Sequence, residues 1–163
     1  MDLKVSSALL TSAQSSRRFS TIEIPFDKVD ELTKQCNYSN IIWTDGKRKE
    51  GKFLAAHSLI LDFDATMPLE AAKAEFAQIE NACIVTSKSH QSPFKIDDYG
   101  RPGKAITPAD YFHVIIALPE PITNLATYRS VMEDLINLYD SDPSCKDGAR
   151  FYFGNPRQEC WYS

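Results

Sequence analysis

The segment Ser58–Asp64, SLILDFD, constrains this chain more than any other. An apolar run leads straight into two aspartates one residue apart. Successive side chains of a strand point to opposite faces, so Asp62 and Asp64 share one face while Leu59, Leu61 and Phe63 take the other. Two carboxylates held side by side repel each other unless a cation lies between them. Oxygen-only donors of this kind suit Mg²⁺ or Mn²⁺. The pattern points to metal-assisted phosphate chemistry. Asp64, followed by Ala-Thr-Met-Pro, also suits the cap of a following helix.

Composition narrows the setting. A chain of 163 residues fits a single domain with a real core, and 43% apolar with 25% charged residues is the balance of an ordinary globular protein. No apolar run approaches the roughly 20 residues of a membrane span. The N-terminus has an early acid, a short apolar run and a basic pair on the wrong side of it, which does not make a secretory signal. The four cysteines form no CxxC pair, which argues against a closed zinc site and for a cytoplasmic protein with reduced thiols. A net charge of −4 disfavours a protein that coats nucleic acid by bulk charge. It leaves room for an enzyme with acids at a metal site and a local basic patch.

The periodicities predict mixed α and β structure. Residues 1–20 read as an irregular arm, Thr21–Ile24 as a strand, Pro25–Gln35 as a helix and Asn40–Thr44 as a strand. Asp45-Gly46 and the following KRKEGK read as a charged turn. Helices are expected over Met67–Ile79, with Pro68 in the first turn, and over Asn124–Tyr139, whose apolar stripe runs Leu125, Tyr128, Met132, Leu135, Leu138. Strands are expected at Ala82–Ser87, at Tyr111–Leu118 (stopped by Pro119 and Pro121) and at Arg150–Phe153. The polar stretch from Ser89 to Asp110 is a long loop, of a length that is often functional. The order fits an α+β domain with helices packed on a mixed or antiparallel sheet.

Several clusters could join the acids. Thr86-Ser87-Lys88-Ser89-His90 ends a predicted strand, and His90, the hydroxyls and Lys88 could contact phosphate oxygens. Lys95, Arg101 and Lys104 make the long loop basic. His113 alternates with apolar residues as a core histidine would. Asp142-Pro-Ser-Cys-Lys-Asp147-Gly-Ala-Arg150 offers one or two more carboxylates and an arginine able to grip triphosphate oxygens.

In sequence order these items form a set. A strand ending in DxD is followed by a strand ending in a small-polar/His motif, then YFHVIIALPEPI, a helix and DPSCKDGARF. The set resembles the archaeo-eukaryotic primase (AEP) superfamily. More narrowly, it is similar to the primase–polymerase domains at the N-termini of phage and plasmid primase–helicases. The resemblance covers roughly Ser58 to Pro156. It implies a catalytic core made of an α/β unit and an RRM-like unit with the cleft between them. It implies that Asp62 and Asp64 bind two divalent ions, and that His90 contacts the phosphates of the incoming nucleotide. Lys88 stands where relatives usually have a small residue, with Ser87 and Ser89 beside it. Asp142 is the better match for the third acid and Asp147 the second; Arg150 matches the arginine that often follows.

The implied activity is DNA primase or polymerase nucleotidyl transfer on single-stranded DNA with nucleoside triphosphates. Residues 1–163 would then be one catalytic domain, either cut from a longer replication protein that carries or recruits a helicase or standing alone. A replication-initiator nuclease, which needs two histidines flanking one apolar residue plus a nucleophilic tyrosine, is disfavoured because His113 stands alone on its strand. A non-catalytic RRM-like nucleic-acid-binding module would offer stacking aromatics such as Tyr99, Tyr111, Trp161 and Tyr162.

Overall fold

A computed structural model describes residues 1–10, 16–97 and 101–163. Tyr99 lies outside them. The fold is α+β, with antiparallel sheets and three α-helices among the described residues. In chain order the strands are β1 (Asp2–Leu9), β2 (Ser20–Pro25), β3 (Cys36–Ser39), β4 (Ile41–Trp43), β5 (Phe53–Asp64), β6 (Ala82–Thr86), β7 (Phe94–Ile96), β8 (Pro102–Ala105), β9 (Tyr111–Ile122) and β10 (Cys160–Tyr162). The helices are α1 (Val29–Gln35), α2 (Leu69–Phe76) and α3 (Leu125–Tyr139).

A five-stranded sheet, ordered β10-β6-β9-β5-β4, forms the middle layer. Strands β5 and β6 both pair antiparallel to β9, which lies between them. Strand β9 thus lies between the two strands that α2 connects. One face of the sheet carries Leu59, Leu61, Phe63, Ile84, Phe112 and Val114, and α2 and α3 cover it. They do so with Leu69, Ala72 and Phe76 from α2 and Tyr128, Met132 and Ile136 from α3. Met132 is fully buried, so truncating it to alanine costs about 2–5 kcal/mol. The other face carries Ile60, Cys83, Val85, Ile115 and Ala117. A second sheet, ordered β2-β1-β3, packs there together with α1.

The alternation of β5 is the one read from its sequence. Phe63 enters the helical layer, and Asp62 and Asp64 fall on the face of Ile60. Both aspartates lie at the strand end, where Asp62 is buried and Asp64 exposed.

Four expectations change. Asp2–Leu9 is a strand rather than an irregular arm: Leu3 and Val5 bury, and pairing with both β2 and β3 fixes the register. Residues 11–15 of that arm lie outside the described residues. Strand β9 runs on through Pro119 and Pro121, because β6 leaves it after the Ala82–Ile116 pair and no ladder N–H is needed on that side. Arg150–Phe153 forms an isolated bridge, Tyr38 to Tyr152, rather than a strand, and the last strand is β10. On α3, Leu138 is 70% exposed and Ile136 takes the inward position instead.

Within the long loop, β7 and β8 form a small hairpin. Gly154 is required where the 149–154 segment crosses α1 and β3, since a Cβ there would lie 2.2 Å from the Cys36 carbonyl oxygen.

Candidate active site

The end of β5, the turn after β6, the hairpin and the 142–153 segment enclose a cleft of about 450 Å³. Asp62, Asp64, Asp142 and Asp147 all line it. So do Arg48, Lys88, Lys95 and Arg150. The second sheet meets it through β3, which is bridged to the cleft-lining 150–153 segment at Tyr152 and hydrogen-bonded to it at Arg150.

Asp62 is 8% exposed and sits opposite His113 in the β5–β9 register. Its Oδ1 lies 3.5 Å from His113 Nε2. Its Oδ2 accepts from Arg150 Nη2 at 2.7 Å. The same Nη2 reaches Asp142 Oδ2 at 3.3 Å, so one guanidinium joins the two acids. Asp142 also caps a 3₁₀ turn over Pro143–Lys146: Oδ1 accepts from the Ser144 N–H at 2.8 Å and Oδ2 from the Ser144 hydroxyl at 2.7 Å. Burial opposes its charge, but these bonds and Arg150 outweigh burial and hold the Asp142 carboxyl below the usual aspartate value. Asp147 turns its Oδ1 to the Ala149 N–H at 2.9 Å.

Beneath Asp62 the chain of contacts continues inward. Tyr38 and His113 Nδ1 are 2.6 Å apart, and both residues are buried. Burial pushes the Tyr38 phenol well above its ordinary value, so it keeps its proton. Burial also lowers the pKa of His113, against the pull of Asp62, and keeps the ring neutral. With the Tyr38 hydroxyl donating to Nδ1, the ring proton lies on Nε2, which faces the carboxylate. His113 is thus the core histidine its strand pattern suggests, and it also supports Asp62.

Asp64 is exposed, and Lys95 reaches its two oxygens at 3.0 and 3.1 Å. Asp64 does not cap the following helix: the Leu69 N–H goes to Asp110 Oδ2 at 2.7 Å. The Arg150 Nε–H is buried without a hydrogen-bond partner among the described residues, which leaves the guanidinium one acceptor short.

The remaining candidates divide. Ser89 lines the acid cleft, but its hydroxyl accepts from the Ile96 N–H at 3.1 Å and fastens the loop. His90 lies in an adjoining cleft of about 670 Å³ that shares Ser87, Lys88 and Ile96 with the first. The Tyr111 N–H donates to its Nδ1 at 3.3 Å, which places the ring proton on Nε2 as a donor. Lys104 is exposed on β8 and lines neither cleft.

Arg48, Phe151 and Phe153 line the acid cleft without having been singled out in the sequence. Arg48 belongs to a run of charges that reads as a solvated turn. The two phenylalanines read as ordinary strand residues. Only the fold brings that turn beside the end of β5.

Among the described residues, no group of three His, Cys, Asp or Glu is gathered closely enough to hold a metal ion as arranged. Arg150 and Lys95 neutralise the acids instead. The donor chemistry fits a hard divalent cation: the cleft offers carboxylate oxygens and no cysteine. No helix among the described residues is long and apolar enough to cross a membrane.

No family model matches the chain, and no curated protein matches it. Among solved structures it is similar to the AEP domain of the cyanophage S-2L primase-polymerase (PrimPol), at 12% identity and a TM-score of 0.48, over 97% of this chain and 79% of that one.

Proposed function

We propose that this chain is a nucleotidyltransferase of the primase–polymerase kind, acting on nucleoside triphosphates and single-stranded DNA. The observation that carries the reading is that Asp62 and Asp142 share Arg150 within one cleft that Asp64 also lines. Three carboxylates with interleaved cations suit a polyphosphate and its counter-ions.

Asp62, Asp64 and Asp142 would hold two Mg²⁺ or Mn²⁺ ions, with Asp147 the alternative to Asp142. Bound there, the ions would neutralise charge on the reacting phosphate and favour the deprotonated 3′-hydroxyl. The chain's own part is positioning. Arg150, released from the two carboxylates, offers its guanidinium to triphosphate oxygens, and its unpartnered Nε–H gains an acceptor. Lys95, released from Asp64, offers a second cation. His90 presents an Nε2–H donor from the adjoining cleft, and Lys88 borders both. In the transfer, the 3′-hydroxyl gives up its proton to solvent, its oxygen forms a bond to the α-phosphorus, the α–β phosphoanhydride bond breaks, and pyrophosphate leaves. Catalysis is positioning and charge neutralisation, with no covalent enzyme intermediate.

The finer reading places the chain in phage or plasmid replication, beside a helicase. A nuclease of the two-histidine kind is not favoured, because His113 is buried and spent on Tyr38 and Asp62.

The test is incubation with single-stranded DNA, labelled nucleotides and Mg²⁺ or Mn²⁺. The reading expects short labelled products that disappear with chelator and in the Asp62→Ala/Asp64→Ala double variant. Products that persist in that variant, or cleaved DNA without added nucleotide, would overturn it.

A further inference from the structure

Arg48, Phe151 and Phe153, which the proposed chemistry does not use, build one wall of the acid cleft. After Arg150 the chain runs extended, bridged to β3 at Tyr152. Alternation sends Arg150 and Tyr152 to one side and Phe151 and Phe153 to the other. The two phenylalanines meet edge to face, with ring centroids 4.8 Å apart. Each is half-buried, and each lines the cleft. A cation stands over each ring: the Arg48 guanidinium carbon 4.5 Å from the Phe151 centroid, and Lys88 Nζ 5.1 Å from that of Phe153. Phe151 is backed by Phe19 at 5.6 Å, and Phe19 in turn packs on Trp43, so the shelf stands on the core.

Two half-exposed aromatic rings flanked by a guanidinium and an ammonium form a surface on which a flat, electron-rich heterocycle stacks. Aromatic faces and arginine planes both serve nucleobases in this way. Phosphate groups find their partners a few residues away, at Arg150 and Lys95 in the same cleft. A cleft of about 450 Å³ has the size of a mononucleotide site.

We infer that Phe151, Phe153 and Arg48 form the base-stacking subsite for a nucleoside triphosphate whose phosphates lie toward Arg150 and the acids. This rests on the proposed nucleotidyl-transfer reading and adds to it where the base goes. Stacking does not read hydrogen-bond edges, so the shelf accepts purines over pyrimidines by area and does not select one purine over the other.

The test is equilibrium binding of etheno-adenosine triphosphate by fluorescence anisotropy, with Mn²⁺ present, competed by inorganic tripolyphosphate. A fluorescent single-stranded oligonucleotide is titrated in parallel. The variants are Phe153→Leu and Arg48→Met, neither at the base of the core, each checked by its thermal midpoint. Expected is an affinity loss of about tenfold for the etheno nucleotide in both variants, with tripolyphosphate competition unchanged. Unchanged nucleotide affinity in both would overturn the shelf while leaving the nucleotidyl-transfer reading intact. Loss of oligonucleotide affinity alone would overturn the assignment to the free nucleotide. A wild-type protein that binds neither probe would overturn the shelf together with the reading it rests on.

Discussion

The backbone N–H of Asp142 donates to the carbonyl oxygen of Asp62 at 2.9 Å. That bond ties the loop after α3 to the end of β5, and it brings two carboxylates distant in sequence onto one arginine. Asp142 is thereby anchored beside Asp62 and shares Arg150 with it. Both candidate third acids also accept bonds within their own turns, Asp142 from Ser144 and Asp147 from the Ala149 N–H.

The first prediction follows from this anchor. Asp142→Asn keeps a capping side chain on the 3₁₀ turn and abolishes nucleotide incorporation, while Asp147→Asn retains it. Asp142→Ala loses the cap as well and costs about 1 kcal/mol in stability. Primer-extension rates and thermal midpoints of the three variants check both parts; activity retained in Asp142→Asn and lost in Asp147→Asn would exchange the two acids.

A second prediction concerns His113, which positions Asp62. His113→Gln retains an N–H toward Asp62 and His113→Leu does not. Calorimetric titration with Mn²⁺ is expected to show affinity falling by about tenfold in the leucine variant and less in the glutamine variant, in line with the loss of outer-shell partners elsewhere. Tyr38→Phe frees the ring tautomer and is expected to weaken Mn²⁺ binding without touching the cleft. Equal affinities across the three would leave His113 a packing residue only.

The buried, neutral state of His113 sets a third expectation, for the chelated protein. Its folded pKa is lowered, chiefly by burial. The unfolded chain takes up a proton near the ordinary histidine value of about 6.5, where the folded chain does not. Below that pH the unfolded state binds more protons, so stability declines as pH falls and recovers above it. Urea unfolding between pH 5 and 8 checks this, and His113→Gln is expected to flatten the dependence.

Thiol chemistry supplies a fourth. Cys36, Cys83 and Cys145 are buried, and burial drives the Cys145 thiol up to about 12. Cys160 is partly exposed, and the hydrogen bond from Cys83 favours its thiolate. In native protein at mild alkaline pH, a disulfide reagent such as Ellman's is expected to label Cys160 first and the others only on unfolding, as peptide mapping would show. Labelling of Cys145 in the native state would contradict the packing around α3.

The legible parts of this chain were those with local signals. The DxD strand, the α2 and α3 stripes and the YFHVIIAL strand each carry a period that a buried face imposes. The first strand was hidden because Leu3 and Val5 are its only buried apolar residues, with the buried serines Ser6 and Ser7 filling the positions against β3. The cleft was legible on its acidic side, where carboxylates cluster in sequence. Its other wall depends on the KRKEGK turn and the 149–153 segment meeting in space, which no local pattern encodes. Lys95 shows the same limit: its charge was visible in the loop, but its pairing with Asp64 follows from the β7–β8 hairpin folding back over β5.

The most direct measurement of the central claim uses single isosteric changes at the opening pair. Asp62→Asn and Asp64→Asn are purified beside the wild type, and each is assayed for Mn²⁺-dependent nucleotide incorporation on single-stranded DNA and for its thermal midpoint. The account predicts incorporation by the wild type, none by either variant, and a cooperative unfolding transition in all three. Incorporation by either variant at the wild-type rate would contradict it.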